Sequence, residues 1–271
     1  MFNNLFSNLV YFFVFLFGLG AGSFLNCLIY RFETGQSFLK GRSFCPYCHH
    51  LLSWQDLIPL LSFLILKGKC RYCQKKISWQ YPLVEIATGI LFVLILNYAF
   101  PNLLVTGYWL LVTSFLIIIF VYDLKHFIIP DKIVYPAIAT VLVYNLISDF
   151  YLNHLTIKPF NHSLFFSGIS AATLASASFL AIVLISRGKW MGVGDIKLAF
   201  FMGLFLGFPN IIAALFLAFL IGAIIGLGLV IAGRKTLKSE VPFGPFLVTG
   251  TFIALFWGDK IIDLYLNFFA Y

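Results

Sequence analysis

The sequence predicts an all-α polytopic membrane protein, with about eight transmembrane helices and a small cytoplasmic insert after the first helix. Hydrophobic residues make up 61% of the 271 residues and charged residues only 10%, whereas a soluble domain carries about 25% charged residues. Apolar runs of about 20 residues, the length that a helix needs to cross a bilayer, recur along the chain. Two Cys-x-x-C pairs lie between the first and second runs.

The apolar runs define both the predicted helices and a division of the chain. We expect the first run to be retained as a membrane helix, because it lacks the basic start and the cleavage pattern of a signal peptide. The chain then divides into the first helix at 1–30, the insert at 31–82 and a membrane core at 83–271. The predicted transmembrane helices are 5–28, 83–100, 103–122, 132–149, 163–186, 195–208, 210–232 and 245–268.

The net charge of +8 comes from basic residues in alternate loops. Because Lys and Arg concentrate in cytoplasmic loops, this pattern predicts a cytoplasmic insert and an N-terminus on the outer side. Basic residues confined to short loops argue against nucleic-acid binding. The other loops contain little beyond Lys158. The residues that predict the orientation are Arg31, Lys40, Arg42, Lys67, Lys69, Arg71, Lys75, Lys76, Lys125, Lys132, Arg187, Lys189, Lys197, Arg234, Lys235 and Lys238.

The insert contains Cys45-Pro-Tyr-Cys48 and Cys70-Arg-Tyr-Cys73, separated by 21 residues. Four thiolates at this spacing are typical of a closed, tetrahedral and structural Zn²⁺ site. Disulfides are the alternative, but they rarely persist in the cytoplasm. His49 and His50 are expected to be solvated, since four sulfurs already complete the coordination. The sequence therefore predicts that a metal stabilises the insert.

An apolar run that ends at Leu66 lies between the two cysteine pairs. It is too short to cross the bilayer. It either packs on the metal module or lies at the membrane interface, and Trp54 and Trp79 suit both places.

Asp123 and Asp195 are the acids that most need an explanation, because each borders a long apolar run at a predicted cytoplasmic loop. Carboxylates at membrane depth are costly and are usually functional. One interpretation is a helix-end ion pair, with Lys125 or Lys197 as partner. The other is a carboxylate pair that shares one proton and activates a water molecule, as the two aspartates of aspartic proteases do. Flexible glycines before Asp195 would let its backbone approach another segment closely.

The other acids have simpler interpretations from the sequence. Glu85 lies at a predicted helix start, where the helix dipole stabilises a carboxylate. Three acids are expected to be solvated, Glu33, Asp56 and Glu240, and three to lie at the outer interface, Asp149, Asp259 and Asp263.

A different functional class, a transporter or channel, would use Asp123 and Asp195 as a proton or cation relay.

Several motifs, in this order, resemble one family, the type IV prepilin peptidases or prepilin leader peptidase/N-methyltransferases. The resemblance covers nearly the whole chain. Trp190 and Leu57 depart from it, since glycine and asparagine are frequent there in the family. The motifs are the two cysteine pairs, Gly22-Ser-Phe-Leu-Asn26, Tyr30-Arg31, Ile58-Pro59-Leu60, Ile77-Ser78, Tyr81-Pro82-Leu-Val-Glu85, Asp123-Leu-Lys-His, Ile129-Pro130-Asp131, Gly192-Val-Gly-Asp-Ile-Lys-Leu198 and Phe243-Gly-Pro-Phe246.

The resemblance implies a multi-pass aspartic endopeptidase of the Gly-x-Gly-Asp class in the bacterial inner membrane, with Asp123 and Asp195 as its catalytic pair. It implies prepilin and pseudopilin substrates, cut after a glycine on the cytoplasmic side to remove a basic leader. It also implies N-methylation of the new terminal residue with S-adenosylmethionine, an activity that the cysteine-bearing insert accompanies. Arg31 and Glu85 flank the insert and are the candidate cofactor-binding residues.

Overall fold

The computed structural model describes residues 2–37, 41–99, 101–155, 164–234, 236, 239 and 241–269. Lys40, Lys158, Lys235, Lys238 and Glu240, which entered the sequence predictions, lie outside these ranges. A short 3-10 helix at Trp54–Leu57 precedes α2. The α-helices in the described ranges are α1 Phe2–Thr34, α2 Leu61–Ile65, α3 Gln80–Ala99, α4 Leu103–His126, α5 Asp131–Leu155, α6 Leu164–Ser186, α7 Val193–Leu206, α8 Asn210–Ile231 and α9 Gly244–Phe269.

The helical membrane fold predicted from the sequence is confirmed. Within the described residues, seven helices are long and apolar enough to cross a membrane, where the sequence predicted about eight. The difference is α7, whose 14 residues extend only about 21 Å at 1.5 Å per residue. A bilayer core is about 30 Å thick. The prediction for 195–208 is therefore right about a helix there, but that helix is shorter than a membrane span.

The chain forms two compact units, residues 1–118 and 119–271, and the boundary falls within α4. In the first unit, α1 packs along α3. The two backbones meet at glycines: a Cβ added to Gly18 would lie 2.6 Å from the Cα of Gly89. The Tyr11 hydroxyl donates a hydrogen bond to the Asn97 side chain across the same helix pair, at 3.1 Å.

In the second unit, α7 is the central helix and packs on α5, α6, α8 and α9. Leu198, Phe201 and Met202 on α7 are completely buried. Small residues on both helices let α7 approach α6 closely, because a Cβ at Gly203 of α7 would overlap the backbone of Ala172 on α6. The short α7 is thus enclosed by longer helices.

Two acids that the sequence placed at the outer interface have structural partners. Asp149 on α5 accepts hydrogen bonds from the backbone N–H groups of Leu164 and Phe165, both at 2.9 Å. These are unpaired donors of the first turn of α6, and a carboxylate there is favoured by the helix dipole. Asp259 accepts a hydrogen bond from the Asn210 side chain at 3.1 Å. Each acid therefore joins two helices of the second unit.

The close approach of α1 and α3 predicts an effect of size at Gly18. We expect Gly18→Val to lower the free energy of unfolding by about 1–3 kcal/mol, as overpacking of a filled contact does. Thermal unfolding of the purified protein in detergent measures the loss. Gly20→Val is the matched control, because a Cβ at Gly20 meets nothing within 4 Å and the change in helix propensity is the same. Equal unfolding temperatures for the two variants would contradict the prediction.

Candidate active site

Asp123 lies in the last two turns of α4 and is 4% exposed. Its Oδ2 accepts a hydrogen bond from the backbone N–H of Gly244, the first residue of α9, at 3.0 Å. A Cβ at Gly244 would lie 2.6 Å from the same oxygen. Glycine is required here because any larger residue would displace the carboxylate. In the sequence, this motif stood out only as part of the family resemblance, within Phe243-Gly-Pro-Phe246.

Asp195 lies in the first turn of α7 and is 9% exposed. Its Oδ2 accepts a hydrogen bond from the backbone N–H of Gly192, the residue that caps α7, at 3.0 Å. An acidic side chain at the third helical position commonly closes a helix start in this way. Asp195 therefore has a local structural role, and each of the two acids binds a backbone donor at a helix N-terminus.

The two carboxylates interact electrostatically. Burial raises the pKa of Asp195 to about 6 against the effect of the Gly192 hydrogen bond, and the negative charge of Asp123 raises it further. A carboxyl that resists ionisation beside a second carboxyl is the arrangement in which one proton is shared. The pair can hold one charge more easily than two.

Lys197 does not provide the ion pair that the sequence offered as an alternative for Asp195. In the described part of the chain its ammonium pairs with Asp131, the first residue of α5, at 2.6 Å. The same ammonium lies 5.3 Å from the centre of the Tyr135 ring. This ion pair ties the start of α7 to the start of α5, two residues from Asp195.

The segments around the two acids also touch through a glycine. A Cβ at Gly194 would lie 3.0 Å from the Cβ of Ile129, so the motif Ile129-Pro130-Asp131 packs directly on the start of α7. The close approach expected from the glycines before Asp195 is thus present at Gly194. At Gly192 the nearest atom, Asp195 Oδ2 at 3.7 Å, would leave room for a side chain.

Two helices of spanning length separate the two acids along the chain, as a location at one membrane face requires. Asp123 is near the end of α4 and Asp195 is at the start of α7, and the two helices between them, α5 and α6, both have spanning length. Two crossings return the chain to its original side. This result does not depend on whether the short α7 crosses the bilayer.

In the first unit, the four cysteines of the insert come together. The Sγ atoms of Cys45, Cys48, Cys70 and Cys73 all lie within 4.8 Å of one another, and the Cys45 and Cys73 sulfurs are 3.9 Å apart. Tetrahedral zinc with Zn–S bonds of about 2.3 Å places its sulfurs about 3.8 Å apart. The donor set and its spacing therefore fit a single tetrahedral metal ion of the zinc type.

The two halves of the cluster repeat the same backbone conformation. Each is a short hairpin closed by one antiparallel bridge, Phe44 with Leu51 and Lys69 with Lys76. The residue after the second cysteine has a positive φ in both, 56° at His49 and 58° at Gln74. The sequence alone does not reveal this repeat, because the two hairpins share little beyond their cysteines. His49 packs on Phe44 and His50 on Tyr72.

Asp56, expected to be solvated, is instead a buried junction of the insert, with a side chain that is only 3% exposed. Its carboxylate accepts hydrogen bonds from Ser53, from Tyr72 at 3.2 Å and from the Arg71 guanidinium at 2.8 Å. Burial acts to raise the pKa of Asp56, but the Ser53 and Arg71 hydrogen bonds outweigh it and lower the pKa. The sequence prediction was wrong because Arg71 and Tyr72 are distant in the chain. Asp56 links the segment between the hairpins to the second hairpin.

Arg31 and Glu85, the candidates for cofactor binding, contact backbone atoms of the insert. The Arg31 guanidinium donates to the carbonyls of Ser37 and Gly41. Glu85, on α3, accepts a hydrogen bond from the backbone N–H of Leu60 at 2.9 Å. Both side chains thus help to hold the insert, and a role in binding S-adenosylmethionine stays a prediction.

Family models and individual relatives point to the same family of proteins. The chain matches the bacterial peptidase A24 N-terminal domain over residues 16–99 and the type IV leader peptidase family over residues 110–227. No solved structure matches it. Proteins named prepilin leader peptidase/N-methyltransferase are similar over nearly their whole length. That of Aeromonas salmonicida is 33% identical, covering 94% of this chain and 93% of the relative. That of Bacillus subtilis is 34% identical, covering 94% and 97%.

The family's two matched regions together contain the cysteine cluster and both buried aspartates. The similarity extends through the short loops as well as the helices, since it covers more than nine-tenths of the chain in each relative. The chain therefore belongs to the prepilin leader peptidase/N-methyltransferase family.

Proposed function

We propose that this membrane enzyme removes the basic leader of prepilins or pseudopilins by cutting after a glycine at the cytoplasmic membrane face, with Asp123 and Asp195 as the catalytic pair. The observation that carries the proposal is that two buried carboxylates at helix ends act on each other through their charge, in a chain of this family. A prepilin is an apolar helix with a polar leader, so its scissile bond would lie at the interface where the two acids are. The bacterial inner membrane is the proposed location, with the N-terminus outside.

The chemistry that we propose needs no covalent intermediate. With one proton shared between the pair, the ionised carboxylate accepts a proton from water, and the water oxygen attacks the peptide carbonyl. The protonated carboxyl donates a hydrogen bond to that carbonyl as negative charge develops on its oxygen. The carboxyl that took the water proton then passes it to the peptide nitrogen as the C–N bond breaks and the amine leaves. The Gly192 and Gly244 amides hold Oδ2 of each carboxylate. Oδ1 of each acid is then the oxygen best able to contact water or substrate.

A transporter or channel that used the same acids as a relay is a weaker proposal. A relay needs ionisable groups spread across the depth of the membrane. Asp123 and Asp195 instead lie at helix ends on one face, since only α5 and α6 separate them.

For the insert, we propose that the four cysteines bind structural Zn²⁺ and that residues 31–82 accompany an N-methyltransferase activity. The support for methylation is the name of the relatives. S-adenosylmethionine would supply the methyl group to the new amino terminus. Arg31 and Glu85 remain the candidate residues for holding it, and each also binds a backbone group of the insert. In this division, residues 1–30 are the first membrane helix and 83–271 the peptidase core.

Substitution of either proposed catalytic acid by asparagine tests the peptidase. Asparagine keeps an oxygen that can accept the Gly192 or Gly244 hydrogen bond, but it cannot transfer the proton. We expect Asp123→Asn and Asp195→Asn each to reduce prepilin cleavage by at least about 10²-fold, the scale of acid–base catalysis. Cleavage of a purified prepilin in vesicles measures it, with unchanged unfolding temperature as the folding control. Full activity in either variant would refute the assignment.

The ion pair between Asp131 and Lys197 predicts a positioning effect. Partly exposed ion pairs contribute up to about 1 kcal/mol, so we expect Lys197→Gln to lower kcat by about two- to fivefold with little change in KM. The exchanged variant, with Asp131→Lys and Lys197→Asp together, should recover part of kcat. A higher KM at unchanged kcat would show instead that Lys197 binds substrate.

Metal analysis tests the cysteine cluster. We expect the purified protein to contain about one zinc per chain, as a closed four-thiolate site does, and Cys48→Ser to lose it. Cys27→Ser is the matched control, because Cys27 lies in α1 outside the cluster. Mass spectrometry of the processed pilin then reports both activities. In Cys48→Ser we expect methylation to be lost and cleavage to be retained. Zinc retained in that variant would contradict a site with four cysteine ligands.

A further inference from the structure

The insert carries an exposed apolar surface that its metal cluster and its buried acid do not explain. We call it the apolar face of the insert. Its members range from 42% exposed at Leu57 to 74% exposed at Ile65. Leu61, Leu64 and Ile65 have the spacing that puts side chains on one side of a helix. Six large apolar side chains in so small a module indicate a contact with something apolar. The members are Trp54, Leu57, Leu61, Leu64, Ile65 and Trp79.

A hydrogen bond sets the position of this face along α3. Glu85 lies five residues after Gln80, the start of α3, which is about 7.5 Å along the helix axis. Its carboxylate binds the backbone N–H of Leu60, the residue that precedes α2, at 2.9 Å. The ring of Phe63 on α2 lies 5.1 Å from that of Trp79, just before α3. The helix α2 therefore begins beside the first turns of α3.

The length of α3 bears on the depth of those first turns in a bilayer. The 20 residues of α3 extend about 30 Å, which only just matches the hydrocarbon core of a bilayer. If α3 spans, Gln80 is at the edge of the core and Glu85 inside it. The Leu60 amide bonded to Glu85 must then lie near the same depth, and α2 begins there.

The surroundings of the apolar face favour lipid as its partner. Leu83 and Ile90 on the adjoining part of α3 are 60% and 49% exposed and belong to the surface that a spanning helix presents to lipid. The apolar face continues this surface around the membrane end of the first unit. Lys67, Lys69 and Lys76 lie in the same insert, and basic residues at an interface attract anionic headgroups. Tryptophans also concentrate at this depth.

We propose that the apolar face of the insert lies within the interfacial layer of the bilayer, with lipid as its occupant. The insert is then a membrane-associated module rather than a domain in water beside the membrane. The buried carboxylate of Glu85 fixes the depth of α2, and the lysines meet the headgroups. Of the two places that the sequence left open for this apolar run, the proposal selects the interface.

Photolabelling by lipid tests the proposal on the full chain. The protein is placed in vesicles of phosphatidylethanolamine and phosphatidylglycerol that contain a phospholipid with a diazirine in its acyl chain. After irradiation, peptides are mapped by mass spectrometry. We expect adducts on residues 61–65 at a level similar to those around Ile90. Residues 47–51 of the same insert are the internal control, because Leu51 is 50% exposed but lies in a cysteine hairpin. They should carry few adducts.

A matched pair of variants gives the second measurement. Leu64→Glu should reduce the labelling of Trp54 and Ile65 to the level of residues 47–51, whereas Leu51→Glu should leave it unchanged. Zinc content identifies a variant that has failed to fold, and Leu64→Ser then replaces Leu64→Glu. The proposal is overturned if residues 61–65 stay unlabelled while α3 is labelled. It is also overturned if they become labelled only when the protein is diluted to one chain per vesicle, because a second copy would then be the occupant.

Discussion

Two buried carboxyl groups in an apolar bundle constrain the rest of the second unit. A buried carboxylate is stable only if nearby dipoles replace the water it has lost. Here the dipoles come from helix N-termini, since Asp123 accepts the first N–H of α9 and Asp195 accepts the N–H of the residue that caps α7. Helix starts carry unpaired donors and partial positive charge. The bundle therefore has to bring two helix starts and the end of α4 to one place.

The close approaches in this unit follow from that requirement. Gly244 has to lack a side chain for its amide to reach Asp123, and Gly194 has to lack one for α7 to begin against Ile129. The ion pair between Lys197 and Asp131 holds the same junction from its outer side. Each contact joins residues from different motifs, which explains in physical terms why the motifs occur together in one chain.

In the first unit, the interactions attach a small metal-binding module to membrane helices. Too small to bury a large core, the insert can draw folding energy from a metal. Three further interactions connect it internally and to α1 and α3: the Asp56 carboxylate with Arg71, the Arg31 guanidinium with loop carbonyls, and Glu85 with Leu60. In two of the three, a carboxylate again accepts the hydrogen bond. In this unit their role is architectural, whereas in the second unit the two carboxylates also act on each other through their charge.

The amino-acid sequence by itself determined the helical membrane class, the approximate helix positions and the cysteine cluster, and it singled out Asp123 and Asp195 as the acids that need an explanation. Those features depend on hydrophobicity along the chain and on local spacing, which a sequence displays directly. Tertiary structure decided that Asp56 is buried, that Gly244 contacts Asp123, that Lys197 pairs with Asp131 and that α7 is enclosed at less than spanning length. These depend on contacts between residues up to 121 positions apart, and composition and periodicity carry no record of which distant groups meet.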